Sequence, residues 1–433
     1  MRLISYILIA CLFTLNIAGA QNPVPAPPQS GPVLIANVRA HIGDGRVIDN
    51  AVIGIDSGKI VMVADANTVK IDRTKYDRMI DGNGMEAFPG FIAPNTTLGI
   101  NEIEAVRATN DYREVGDINP SVRALIAYNT DSKVTPTVRS NGILLAQIVP
   151  SGGTIPGMSS VVQLDAWNWE DAAYLADDGI HLNWPSYYGW RRRRGSFNIS
   201  KNENYDEQVR QIVNFIKESR AYCRLEEPET TNLKMEAMCR LFDGKTRLYI
   251  HTDQAKAIAG AIHWLKDFHI PLVIVGGREA DQVASLLKKE AVPVIIEPTH
   301  RLPSREDSPV DEAFALPKKL FDAGVMFCFS QDGFWQQRTL PHQAGQAVSY
   351  GLPYEVAIAG LTKHPAQILG IGDRTGTLEV GKDANIILSE GDPLDMRGNK
   401  IRHAFIQGRQ IDLDNKQKQL YRKYSEKYKH EAN

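Results

Sequence analysis

From residue 33 the chain alternates apolar and polar positions with the two-residue period of half-buried strands. The runs are Val33-Leu34-Ile35-Ala36-Asn37-Val38, Ala51 to Ile55 and Lys59 to Ala64, punctuated by turns at Gly43 to Gly45 and Asp56-Ser57-Gly58. The far end has the same character, with Ala384 to Ser389 and His403 to Gln407 separated by Gly391-Asp392-Pro393. Both ends thus supply strands to one small β-domain, over 33–88 and 371–413. Between residues 89 and 370 short apolar runs alternate with helical periodicity: Leu248 to His251 (strand), Ala255 to Phe268 (helix), Pro271 to Val275 (strand), Ala280 to Lys289 (helix), Val292 to Ile296 (strand), Val310 to Ala323 (helix) and Met326 to Phe329 (strand). Roughly 280 residues of such β/α units predict one eight-stranded TIM (β/α)8 barrel, whose chemistry sits where strands end. A doubly wound open sheet is the competing α/β fold, but no glycine-rich phosphate turn follows any strand. Residues 414–433, polar and rich in lysine, predict a surface helix.

The 433 residues are 43% hydrophobic and 23% charged, a composition that buries a large core and excludes a disordered chain. The long apolar run is at the start, where Arg2 precedes Leu3 to Leu15 and Ala18-Gly19-Ala20 stands before Gln21. This predicts a signal peptide over 1–20 cleaved after Ala20, hence a secreted or periplasmic protein, with lipid attachment at Cys11 as the rival reading. Residues 21–32 are a proline-rich linker. The net charge is −2, or −3 once Arg2 is removed, so no overall field recruits nucleic acid. Arg191 to Arg194 form a local basic run, read as a solvated rim loop or as a grip on an acidic group. Cys223, Cys239 and Cys328 lack zinc-type spacing, and export makes a Cys223 to Cys239 bridge possible.

Two segments carry a family resemblance. Ala87-Phe88-Pro89-Gly90-Phe91-Ile92-Ala93-Pro94-Asn95-Thr96-Thr97-Leu98-Gly99 resembles the entry into the first barrel strand of amidohydrolases, where Asp-x-His-x-His follows Pro-Gly-Phe. His364-Pro365-Ala366-Gln367-Ile368-Leu369-Gly370, Gly376-Thr377-Leu378-Glu379-Val380-Gly381-Lys382-Asp383-Ala384-Asn385 and Gly391-Asp392-Pro393-Leu394 resemble that family's last barrel helix and its return to a β-sandwich, nearest the imidazolonepropionase-like branch. The resemblance implies a hydrolase of carbon–nitrogen bonds in non-peptide or dipeptide amides. In that family histidines, a lysine or glutamate and an aspartate hold one or two divalent metals, which lower the pKa of bound water.

Carried over by position, most of that set is missing. Ala93, Asn95 and Thr97 stand in place of the first strand's aspartate and histidines, and Gly276 stands where strand six has its imidazole. His251 of strand five and Asp332 after strand eight remain, and His181 falls at the bridging position of strand four. Two expectations follow. Either His181, His251 and Asp332 hold a single zinc or manganese ion with Asp332 as general base, or they are an inherited polar cluster without metal in a non-catalytic homologue that binds ligand or partners an active amidohydrolase. Trp167, Trp169 and Trp184 are expected at barrel-top rims, where they would stack on a small amide or peptide ligand. Ser151, in Ser151-Gly152-Gly153-Thr154, lacks an adjacent histidine and reads as a turn rather than a nucleophile. By resemblance the chain is expected to form a homo-oligomer or to associate with a relative.

Overall fold

The computed structural model describes residues 24–193, 196–303, 305 and 307–428. The expected leader, with its cleavage point at Ala20 and the rival Cys11, lies outside the described residues, as does Arg194. No helix among the described residues is long and apolar enough to cross a membrane.

The first strands are β1 (Val33–His41), β2 (Val47–Asp56), β3 (Lys59–Asp65), β4 (Arg78–Asp81) and β5 (Glu86–Pro89). The barrel region contributes β6 (Phe91–Thr96), β7 (Ile143–Ile148), β8 (Gly157–Gln163), β9 (Ala173–Asn183), the hairpin β10 (Tyr188–Arg193) with β11 (Ser196–Lys201), β12 (Arg247–Thr252), β13 (Leu272–Gly276), β14 (Val294–Ile296) and β15 (Phe327–Phe329). The chain returns through β16 (Ile386–Ser389), β17 (Ile401–Ile406) and β18 (Arg409–Gln410).

Both ends do meet in one sheet, of order β18-β17-β16-β5-β1-β2-β3, with β4 also paired to β1. The joint is β16 antiparallel to β5, Ile387 opposite Phe88. This is a single branched sheet with its own apolar core, in which Ile35, Ile53 and Ile55 pack with Ile386, Leu388 and Phe405. The pairing does not divide into the two sheets expected of a sandwich. The linker before it is tied down, since Ala26 N–H donates to Asp165 and Gln29 donates to the Ile55 carbonyl.

The barrel sheet runs β15-β14-β13-β12-β9-β8-β7-β6. Its end strands are bridged by Gly360 and Leu361, whose carbonyls accept from Phe329 and Ile92 N–H, so the sheet curls round rather than staying open. One strand departs from the eight parallel β/α units that the periodicity predicts: β8 is antiparallel to β7 and to β9. The eight residues between β7 and β8 are too few for a crossover helix, and a short connection forces reversal. Inward-facing positions form an apolar plug of Ile92, Leu145, Val161, Tyr249, Val273, Val275, Ile295 and Cys328. The outward-facing positions pack under the helices, of which Ala255–Leu265 buries Ile258, Ala261, Ile262 and Leu265.

Two contacts fix distant parts of the chain. Cys223, at the end of helix Tyr205–Tyr222, is bonded to Cys239 in helix Leu233–Phe242. His41 of β1 is sandwiched, its Nδ1 2.6 Å from Glu355 of the barrel helix Tyr354–Ala359 and its Nε2 2.7 Å from Glu86 of β5. Phe88 stacks on its ring. Burial disfavours the imidazolium, but hydrogen bonds and charge from Glu355 and Glu86 outweigh it and leave His41 titrating above its ordinary value.

Reducing the Cys223–Cys239 bridge, which spans 16 residues, is expected to cost up to about 3 kcal/mol in urea unfolding. The His41 pairing stabilises the fold fully below the unfolded-state pKa of about 6.5 and is lost as pH rises through the higher folded value. His41→Gln should therefore cost about 1.5–3 kcal/mol at pH 5.5 and distinctly less at pH 9, measured as the difference in unfolding free energy from the unsubstituted protein. Equal losses at both pH values would show that the carboxylates do not hold a charged His41.

Candidate active site

Seven of the barrel strands share a direction, so their C-terminal ends open on one side. There lies a cavity of about 630 Å³, lined among others by Asn95, Trp184, His251, Asp253, Gly276, Arg278, Glu297 and Asp332. Each sits at or just beyond a strand end, where the backbone leaves its ladder and side chains can converge.

Asn95, near the end of β6, has φ of 54°, a left-handed conformation that asparagine tolerates better than most residues. Its N–H donates to Gln147 Oε1. Thr97 is half-buried just beyond β6, outside the set of residues lining the cavity. It is the neighbouring Thr96 whose hydroxyl donates to the Gly333 carbonyl, tying β6 to the loop that carries Asp332.

His251 of β12 reaches the cavity, and His181 of β9 is buried beside it. His181 Nδ1 and His251 Nε2 are 2.8 Å apart, one donating to the other. His181 also stacks on Tyr249. Burial and the neighbouring His251 hold His181 well below the ordinary histidine range, and burial takes His251 down to about 4. Both imidazoles are therefore neutral at physiological pH.

Beside the apolar plug the barrel interior holds one buried polar network. Asp178 Oδ2 accepts from the Tyr249 hydroxyl at 2.6 Å and from Gln147 Nε2 at 2.8 Å. Burial raises Asp178 to about 6 against the pull of those hydrogen bonds. A hydrogen-bonded chain thus runs from Asp178 through Gln147 to the backbone of Asn95, which lines the cavity.

The sixth-strand position is closed to a side chain. Gly276 has φ of 102°, and a Cβ built there would stand 2.5 Å from Asp253 Oδ1. Asp253 is raised to about 6, first by burial and then by Glu297, with Arg278 opposing. Two residues on, Arg278 grips Glu297 with two parallel bonds, Nε to Oε2 at 2.5 Å and Nη2 to Oε1 at 3.0 Å, and its Nε is 3.5 Å from Asp253 Oδ2. Asp332 follows β15 and faces the same space. Burial and Glu297 raise its pKa while Arg278 lowers it.

These residues do not fit the metal that the family resemblance implies. Two imidazole nitrogens bound to one tetrahedral ion at ~2.0–2.1 Å would stand roughly 3.3 Å apart, with the ion's radius between them. Here they touch through a proton. Among the described residues no three His, Cys, Asp or Glu side chains converge to hold a metal.

The tryptophans divide. Trp184 lines the cavity, its indole N–H donating to the Tyr205 hydroxyl. Trp167 and Trp169 do not. Because β8 runs antiparallel, the connection that follows it lies at the opposite end of the barrel, where the Trp167 carbonyl accepts from Thr130. The rim expected for them assumed an all-parallel barrel. Ser151 is on the cavity side, in the loop after β7, but it is exposed and does not line the cavity.

Sequence reasoning missed Asp253, Arg278 and Glu297, although each falls within two residues beyond a strand end, the signal that could have found them. Asp178 gave no such signal. Its Asp177-Asp178 pair reads as a turn, and only the structure puts one carboxylate inside the barrel.

A sequence profile of the amidohydrolase family matches residues 203–411. The imidazolonepropionase of Brucella anthropi is 22% identical over 395 residues, covering 83% of this chain and 93% of that protein. The amidohydrolase tasK of Hapsidospora irregularis is 19% identical over 345 residues, 72% of this chain but only 35% of that longer protein. Among solved structures, an amidohydrolase from Thermotoga maritima superposes with a TM-score of 0.74 at 22% identity, covering 88% of this chain and 99% of its own. A putative prolidase from Bifidobacterium longum superposes with a TM-score of 0.55. Taken with the barrel, these matches place the fold among amidohydrolases and make residues 203–411 similar to that family, with imidazolonepropionases among the similar proteins.

Proposed function

We propose that this chain is an exported hydrolase of carbon–nitrogen bonds in small amide-bearing molecules, working in the barrel mouth without an imidazole-held metal. The observation that carries the reading is Asp332, a carboxylate at the end of the last barrel strand facing a cavity large enough for a dipeptide-sized ligand. The names of similar proteins, imidazolonepropionase and prolidase, support a carbon–nitrogen target. The Cys223–Cys239 bridge supports export, because disulfides persist in oxidising compartments.

In this reading Asp332 takes a proton from water as it attacks the amide carbonyl and returns it to the departing nitrogen. A pKa raised by burial suits both halves of that exchange. The side chain of Asn95 orients the amide, and Trp184 walls the cavity and excludes water. The mutual bond of His181 and His251 favours a second reading, in which the barrel binds an amide or an active relative without turnover.

The test uses the protein from Gln21 onward. Its metal content is measured by elemental mass spectrometry before and after soaking in zinc and manganese, alongside amine release from dipeptides and N-acyl amino acids. Expected are no stoichiometric metal and a slow release that Asp332→Asn lowers about 100-fold or more. Release should fall as pH drops through the raised Asp332 pKa, because the ionised form is the base, so the acid limb should lie above the ordinary carboxylate value of 3.8. A stoichiometric metal lost in His251→Ala would sink the metal-free mechanism. Binding of these amides by folded protein with no release would move the assignment to the second reading.

A further inference from the structure

We infer that the guanidinium of Arg278 is a tethered cation that replaces the divalent metal in this mouth, and that Asp253 completes the replacement by filling the space of the missing sixth-strand imidazole. Four carboxylates, those of Asp253, Glu279, Glu297 and Asp332, line the cavity with Arg278, Arg305 and Lys256; Arg305 pairs with Glu279, which leaves Asp253, Glu297 and Asp332 to Arg278. Asp253 and Glu297 both contact Arg278, and carboxylates held that close repel one another and require positive charge. The two histidines are turned to each other instead, His181 Nδ1 2.8 Å from His251 Nε2.

Arg278 supplies that charge with a two-bond grip made inside the cavity. It bonds both oxygens of Glu297, and the same Nε is 3.5 Å from Asp253 Oδ2. Arg301 adds a more distant contact, 3.7 Å from Glu297 Oε2. The substitution at 276 and the arginine at 278 form one unit. With glycine at 276 the Asp253 carboxylate can swing into the vacated space, and from there its second oxygen faces the guanidinium. A histidine at 276 would collide with that carboxylate and would have to adopt a backbone conformation that side chains rarely take.

A fixed organic cation and a metal ion answer the same electrostatic need differently. The guanidinium is planar, permanently charged and unable to bind water as a Lewis acid, so it neutralises carboxylates without generating hydroxide. Removing it leaves Asp253 and Glu297 without their cation, and these carboxylates with Asp332, which do not converge on an ion as they stand, should close on a hard divalent ion such as Mn²⁺.

The experiment compares Mn²⁺ binding to the full folded protein and to Arg278→Met and Arg278→Lys, by electron paramagnetic resonance and calorimetry without any substrate. Arg278→Met keeps the apolar stem and loses the charge, and should bind one Mn²⁺ at least about ten-fold more tightly than the unsubstituted chain. Arg278→Lys loses the planar fork but keeps the charge, and should gain little. Adding Asp332→Asn to Arg278→Met should reverse the gain. Should Arg278→Met not fold, Arg278→Gln carries the same comparison. Tight stoichiometric Mn²⁺ in the unsubstituted protein, equal gains in the Met and Lys variants, or no gain in either would each overturn the assignment. Because binding is read without turnover, the place of the cation and the hydrolysis proposed for this mouth stand or fall separately.

Discussion

Between the ends of β12 and β13 there is room for one side chain. Asp253 occupies it, and it can do so only because residue 276 has no Cβ. Much of the mouth follows from that single exclusion. The carboxylate that enters brings a charge into a partly desolvated space, the charge calls for a partner, and Arg278, already locked onto Glu297, is the partner within reach. His251 turns its Nε2 to His181 Nδ1, 2.8 Å away. The barrel top thus carries an oxygen and guanidinium network at its strand ends.

How far this was legible in the residues varies with the physics involved. The alternation in Val33 to Val38 and in Ala384 to Ser389 exposed strands, because one face of each is buried, and their common character foretold a shared sheet. The helical period of Ala255 to Phe268 foretold a helix that ends slightly early, its last turn tightening into a 3₁₀ turn at Lys266–Phe268. Strand direction was not legible. The apolar run Gly157 to Gln163 reads the same in either orientation, and only the shortness of the loop before it hints at reversal. That error carried Trp167 and Trp169 to the wrong end of the barrel.

In the site itself, identities were legible and relationships were not. Gly276 at a strand end is visible in the sequence, whereas the approach of Asp253, 23 positions earlier, to the space a side chain there would take is a fact of packing. The bond between His181 and His251 joins positions 70 apart, and no local pattern encodes it. Likewise the buried Asp178 is one of two consecutive aspartates, and which of them enters the barrel is decided by a left-handed residue at Asp177.

The reversal of β8 has a further consequence for how such a barrel can change over evolutionary time. In an all-parallel barrel every loop on the reactive side can drift without troubling the scaffold on the other. Here the segment after β8 is handed to the scaffold side, where Asp165 receives Arg139, Arg409 and the backbone of Ala26, joining the barrel floor to both ends of the chain. A stretch that would otherwise be free to explore new specificities has become a clasp, and insertions there would loosen the terminal sheet before they altered what the mouth can bind.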